Sequence, residues 1–112
     1  MTYEEQQAQR KELNDLMESE DDFYIQFNRL LDEHTSTEGA ISQKNKELIG
    51  LAISICTRCN ECISYHIGGC KNSGATKAEM LEAIKIGVAA GGSITYPNVR
   101  FAFSALREIG LL

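Results

Sequence analysis

The spacing of the apolar residues constrains this chain more than any other feature. Nothing alternates with period two over a useful length, and apolar residues recur three and four apart almost everywhere. Side chains at that spacing share one helix face, so the fold class reads as all-α, with about six helices. The first is expected from about Tyr3 to Met17, with Leu13, Leu16 and Met17 as a thin apolar stripe. The second begins after Ser19, whose spacing to Asp22 resembles a capping box, and groups Phe23, Phe27, Leu30 and Leu31 on one face. A loop over Thr35 to Ala40 follows. The third helix starts near Ser42 and runs through Leu48, Leu51, Ala52 and Ile55. The fourth ends in the turn Lys71-Asn-Ser-Gly74. The fifth opens on a capping box, Thr76 with Glu79, is buried along Leu81, Ile84 and Val88, and stops at Gly91-Gly92. The sixth has Pro97 at its first position and continues through Phe101, Phe103 and Leu106.

At 112 residues the chain is one domain, 1–112, with acidic N-terminal helices over 1–38 and a core over 40–107. A chain this short buries a small core, and association is a natural way to bury more. The longest apolar run, Leu48 to Cys56, is broken by Gly50 and Ser54 and is too short to span a bilayer. The polar, acidic start MTYEEQQAQRKE is unlike a secretory signal, so a cytoplasmic protein with no membrane partner is expected. The net charge of −5 is unevenly spread: residues 1–38 carry eleven Asp/Glu against three Lys/Arg, and the remainder carries five against eight. The acidic block would repel phosphate, which argues against nucleic acid as a partner. It reads as a solvated helical face, or as a surface that pairs with the basic half of a neighbouring subunit.

The chemistry concentrates in Cys59-Asn-Glu-Cys62-Ile-Ser-Tyr-His66. In a reducing compartment a CxxC is more often catalytic, redox-sensing or metal-binding than a structural staple. On a helical wheel advancing about 100° per residue, Cys56, Cys59, Cys62, His66 and Cys70 share one face. One turn separates Cys59 from Cys62, within disulfide reach. Cys62 and His66 are i,i+4 neighbours, the pair that touches on a helix. A thiolate attacks a peroxide to give a sulfenic acid, which a second thiol condenses to a disulfide. The thiolate needs a base, a cation or a helix N-terminus to form. His66 supplies the base to Cys62, and a place in the first turn would supply the dipole to Cys59. Both routes are open at this level.

Glu47 lies twelve residues before Cys59. On one straight helix about 18 Å would separate them. Contact therefore requires the chain to double back near Cys56–Arg58, with Thr57 as a plausible N-cap, or requires Glu47 to come from another subunit. Either way Glu47 could orient His66 or share its proton.

Glu47, eleven residues, then Cys59-x-x-Cys62-x-x-x-His66 resembles the core motif of the AhpD-like alkylhydroperoxidases of the carboxymuconolactone decarboxylase superfamily. The flanks KELIGLAIS and GATKAEMLEAIKIGVAAGG agree, and the resemblance covers about residues 40–107. It implies an all-helical oligomer, trimer or hexamer, whose CxxC opens a helix within an antiparallel helical hairpin. It implies a peroxidase cycling between dithiol and disulfide, with hydroperoxide as substrate and an unidentified thiol as reductant. Cys62 would attack, Cys59 would resolve, and His66 with Glu47 would relay the proton. No cofactor is called for. The decarboxylase branch does not use this dithiol, so its activity is not implied. One departure is Glu61, where some relatives place a histidine directly before the second cysteine; a carboxylate aimed at the thiols would raise their pKa.

Three other readings stand beside this one. The chain could be a thiol–disulfide oxidoreductase or redox sensor that barely touches peroxide. It could hold zinc through Cys56, Cys59, Cys62, His66 and Cys70, although ligands strung along one helix wrap a tetrahedron poorly. It could be a structural helical protein. Cys56 and Cys70 read as small buried hydrophobes. Gly68-Gly69 reads either as a frayed helix end or as a close helix crossing, and Tyr65 as a possible pocket residue.

Overall fold

Helices form where the apolar periodicity places them. A computed structural model describes residues 2–112, and within these it contains α1 (Tyr3–Glu20), α2 (Asp22–Thr35), α3 (Gln43–Cys56), α4 (Asn60–Asn72), α5 (Lys77–Gly91) and α6 (Tyr96–Glu108). A short 3-10 turn, Ser93–Thr95, joins α5 to α6. No strand occurs among the described residues.

The helix starts follow side-chain chemistry. Thr76 and Glu79 form the expected reciprocal capping box on α5, and Thr2 with Glu5 forms another on α1. Ser42 caps α3 by accepting from the Asn45 N–H. The expected cap at Ser19 is wrong. Helix α1 runs on through Ser19 to Glu20, and the Ser19 hydroxyl donates back to the Leu16 carbonyl. The break falls at Asp21, which turns extended (φ −153°) and whose carboxylate accepts from the Phe23 N–H. Pro97 sits one residue into α6, after Tyr96.

The core belongs to the last four helices. Leu51 and Ile55 of α3 meet Ile63, Ile67 and Cys70 of α4, Met80, Ala83 and Ile84 of α5, and Ala102, Ala105 and Leu106 of α6. Helix α3 lies between α4 and α5, and α4 also meets α6. Two expected core positions on α5 shift: Leu81 and Val88 flank the core, and Met80, Ala83 and Gly87 face inward. On α6, Phe103 points outward and Ala102 takes the inner place. A close crossing selects small side chains, so the inner face cannot be found by looking for the largest residues.

Helices α1 and α2 form an arm on this core and bury no residue fully. The apolar stripe expected on α1 does not enter the core: Leu13, Leu16 and Met17 are exposed. Helix α1 instead docks a polar face, described below. On α2, Phe23 (58%), Phe27, Leu30 and Leu31 are all exposed. Among the described residues no helix is long and apolar enough to cross a membrane.

Candidate active site

The redox turn begins at the end of α3. Arg58 N–H donates to the Ile55 carbonyl and Cys59 N–H to the Ser54 carbonyl, each at 3.0 Å. This is a Schellman ending, whose left-handed position is usually glycine and here is Arg58 at φ 58°. The chain thereby doubles back, as contact with Glu47 requires. Thr57, the expected N-cap of α4, instead ends α3. Cys59 itself caps α4: its Sγ accepts from the Cys62 N–H at 3.1 Å. Cys62 is then the third residue of the first turn. Cys59 and Cys62 are joined as a disulfide, with Cα atoms 5.2 Å apart. Cys59 is half-buried and Cys62 exposed. The Asn98 amide, buried on α6, donates to the Asn60 side chain at 2.8 Å and ties this turn to the core.

The single wheel through Cys56, Cys59, Cys62, His66 and Cys70 does not survive this turn. Cys56 is the last residue of α3, and Cys59 stands at the cap of α4. Cys56 and Cys70 are free thiols. Cys70 is in the core, and burial together with the charge of Glu47 pushes its thiol up to about 12. The five side chains do not converge, and among the described residues no three His, Cys, Asp or Glu group as a metal site would.

Glu47 and His66 do converge, within one chain. The Glu47 carboxylate is 5% exposed, and its Oε2 lies 2.9 Å from His66 Nδ1. To an ionised carboxylate Nδ1 is the donor, and in the neutral imidazole of that tautomer Nε2 keeps its lone pair. Glycine makes the room for this pair. A Cβ at Gly50 would overlap the imidazole ring, and one at Gly69 would overlap the Glu47 carboxylate. A Cβ at Gly68 would come within 2.9 Å of the Tyr3 hydroxyl. Gly68-Gly69 is therefore a close crossing, with α1 on one side and α3 on the other. Tyr65 stands edge-on to the imidazole, ring centroids 5.0 Å apart.

Cys62 and His66 line one cleft of about 450 Å³ with Arg10, Leu13, Met17 and Tyr65. Its outer wall is α1, a helix whose part in the site the sequence reading missed. The signal was present as polar residues, Gln7, Arg10 and Asn14, at i, i+3 and i+7. Gln7 Nε2 donates to the Ser64 carbonyl at 2.9 Å, and Arg10 reaches Ser64 Oγ at 2.8 Å. A second cleft, about 460 Å³, opens beside His66 between Gly50, Ile53, Ile41 and His34.

A helical hairpin with a disulfide-bonded CxxC at its turn and a buried carboxylate–histidine pair beside it defines a class of fold. The model of the carboxymuconolactone decarboxylase family matches residues 21–108, and the chain belongs to that family, with an AhpD-like arrangement. Among solved structures it is similar to TM1620 of Thermotoga maritima, in one crystal structure at 35% identity and TM-score 0.84, covering 94% of this chain and 89% of that one. It is also similar to apo-lpg0406 of Legionella pneumophila, a protein of the same family, at 25% identity and TM-score 0.82, covering 95% of each chain. A curated relative, uncharacterized protein 4 in the cox locus of Paracoccus denitrificans, is 32% identical over 72 residues. The match takes in 64% of this chain and spans 65% of that relative's length.

Proposed function

We propose that this protein is a dithiol peroxidase that reduces hydrogen peroxide or organic hydroperoxides through Cys59 and Cys62. The observation that carries the reading is the Glu47–His66 hydrogen bond of 2.9 Å, which holds His66, the base of this reading, in a cleft it shares with Cys62. In the reduced form His66 takes the Cys62 proton. The thiolate attacks one peroxide oxygen, the O–O bond breaks, and the alcohol or water leaves with the proton held by His66. Cys62 is then a sulfenic acid. Cys59 attacks its sulfur, the S–O bond breaks, water leaves and the disulfide forms. An external thiol returns the pair to the dithiol. TM1620 has been suggested to act in antioxidative response, which accords with this chemistry.

The exposure of Cys62 favours it as the attacking sulfur, and the N-cap place of Cys59 favours a thiolate there. The test is one equivalent of cumene hydroperoxide with a dimedone-type trap, read by mass spectrometry. Cys59→Ser should trap sulfenic acid on Cys62, and Cys62→Ser should trap none. The reverse outcome would exchange the two roles. Thiol loss no faster than that of free cysteine would leave a thiol–disulfide oxidoreductase or redox sensor in place of the peroxidase.

A further inference from the structure

Arg10 is fixed over the redox turn by four contacts. Its Nη1 donates to Gln7 Oε1 at 2.6 Å. Its Nη2 donates to the Glu61 carbonyl at 3.2 Å and to Ser64 Oγ at 2.8 Å. Its Cζ stands 5.2 Å from the centroid of the Tyr65 ring. Glu61, Ser64 and Tyr65 all lie within three residues of Cys62 on α4, and Arg10, Glu61, Cys62 and His66 line one cleft.

We propose that Arg10 is the positioning residue of the redox turn: it offsets the Glu61 carboxylate and so keeps Cys62 available as a thiolate beside His66. The physical need is local. Glu61 immediately precedes Cys62. An anion there opposes a second anion on the sulfur, and a guanidinium in the same cleft favours it. Burial lowers the Arg10 guanidinium from its ordinary value and the Glu61 charge acts in the other direction. Arginine stays protonated through such shifts, so the cation is permanent. The remaining titratable groups around Cys62 are few. Tyr65 and His66 share its helix, and Glu47 stands behind His66 from α3. Arg58 precedes Cys59 in the turn and is exposed, and α6 reaches the turn through the uncharged Asn98.

The inference rests on the thiol chemistry proposed above, and its test does not use peroxide. In the Cys59→Ser protein, the rate of Cys62 carbamidomethylation by iodoacetamide is followed from pH 5 to 10 by peptide mass spectrometry. Arg10→Gln should move the midpoint upward and slow the reaction at pH 7 about threefold to tenfold, the equivalent of half a unit to one unit. Glu61→Gln alone should move the midpoint downward. The double variant Arg10→Gln/Glu61→Gln should return to within about twofold of the parent, because the charge to be offset is gone. Circular dichroism reports whether each variant keeps its helices. An unchanged profile in folded Arg10→Gln overturns the proposal. So does a slowed Arg10→Gln that Glu61→Gln fails to restore, since that is a packing effect. If Arg10→Gln does not fold, Glu61→Gln decides, and no downward shift overturns it. Absence of peroxide turnover in the parent would defeat the peroxidase reading and leave this result standing.

Discussion

At the residue scale, Glu47 is the group most dependent on its partner. A buried carboxylate without a compensating charge or hydrogen bond costs several kcal/mol, so His66 serves stability as well as the proposed chemistry. His66→Ala should destabilise the fold by about 1–3 kcal/mol in urea titration. Adding Glu47→Gln to that variant should recover part of the loss, because glutamine leaves no buried charge. For activity the order differs: His66→Ala should slow sulfenic acid formation strongly, and Glu47→Gln more mildly. Gly50→Ala tests the cradle, since its methyl group meets the imidazole. It should cost about 1–3 kcal/mol and displace His66, read as slower peroxide consumption at unchanged thiol content. Cys70 sets an alkaline limit. Its thiol is raised in the folded chain to about 12, so the stability present below about pH 8.5 is lost as pH rises toward 12, where the unfolded chain alone releases the proton. At pH 7.5 the native protein should leave Cys70 unalkylated, and urea should expose it, as peptide mapping would show.

At the scale of elements, the turn between α3 and α4 carries the proposed chemistry and some strain. Helices α4 and α6 end in the same Schellman pattern with Gly74 and Gly110 in the left-handed position, and α3 alone of the three places a residue with a side chain, Arg58, there. A non-glycine residue in that region costs about 1–2 kcal/mol, part of which glycine gives back as unfolded-chain entropy. Arg58→Gly should therefore stabilise the protein by about 0.5–1 kcal/mol, seen as a higher urea midpoint at constant slope. Helix α1 illustrates a second rule. Its inward face is Tyr3, Gln7, Arg10 and Asn14, and its apolar residues face the cleft and solvent. Hydrophobic periodicity located the helix but does not mark the side that docks, because the hydroxyl and carbonyls it meets on α4 select donors.

At the scale of the whole molecule, the radius of gyration is 14.2 Å, larger than the roughly 13 Å of an average domain this long. The α1–α2 arm, which buries no residue fully, lies outside the core. Its exposed Phe23, Phe27, Leu30 and Leu31 form an apolar face on the most acidic part of the chain. We propose that a second copy covers it and that the protein is a homo-oligomer, a trimer or hexamer. Light scattering at micromolar concentration should read a multiple of 12.4 kDa, and Phe23→Ser/Phe27→Ser should lower it. A monomer in the parent protein would sink the assembly and leave the intrachain Glu47–His66 pair untouched.

Local rules decided most of what the sequence determined by itself. Six helices, the reciprocal threonine start on α5, the serine cap on α3, and the short reach between Cys59 and Cys62 all depend on residues within about one turn of each other. The match of Glu47, the cysteines and His66 to a known motif then pointed to one site. Tertiary structure decided everything that depends on what stands opposite. It placed Cys59 rather than Thr57 at the cap, because a left-handed Arg58 closed α3 first. It paired Glu47 with His66 across two helices through the space left by Gly50 and Gly69. It brought Arg10 over Cys62 from 52 positions away in the sequence. Glycines carry no periodic signal, and the polar spacing of Gln7, Arg10 and Asn14 does not say what that face meets; both are known only once the helices have packed.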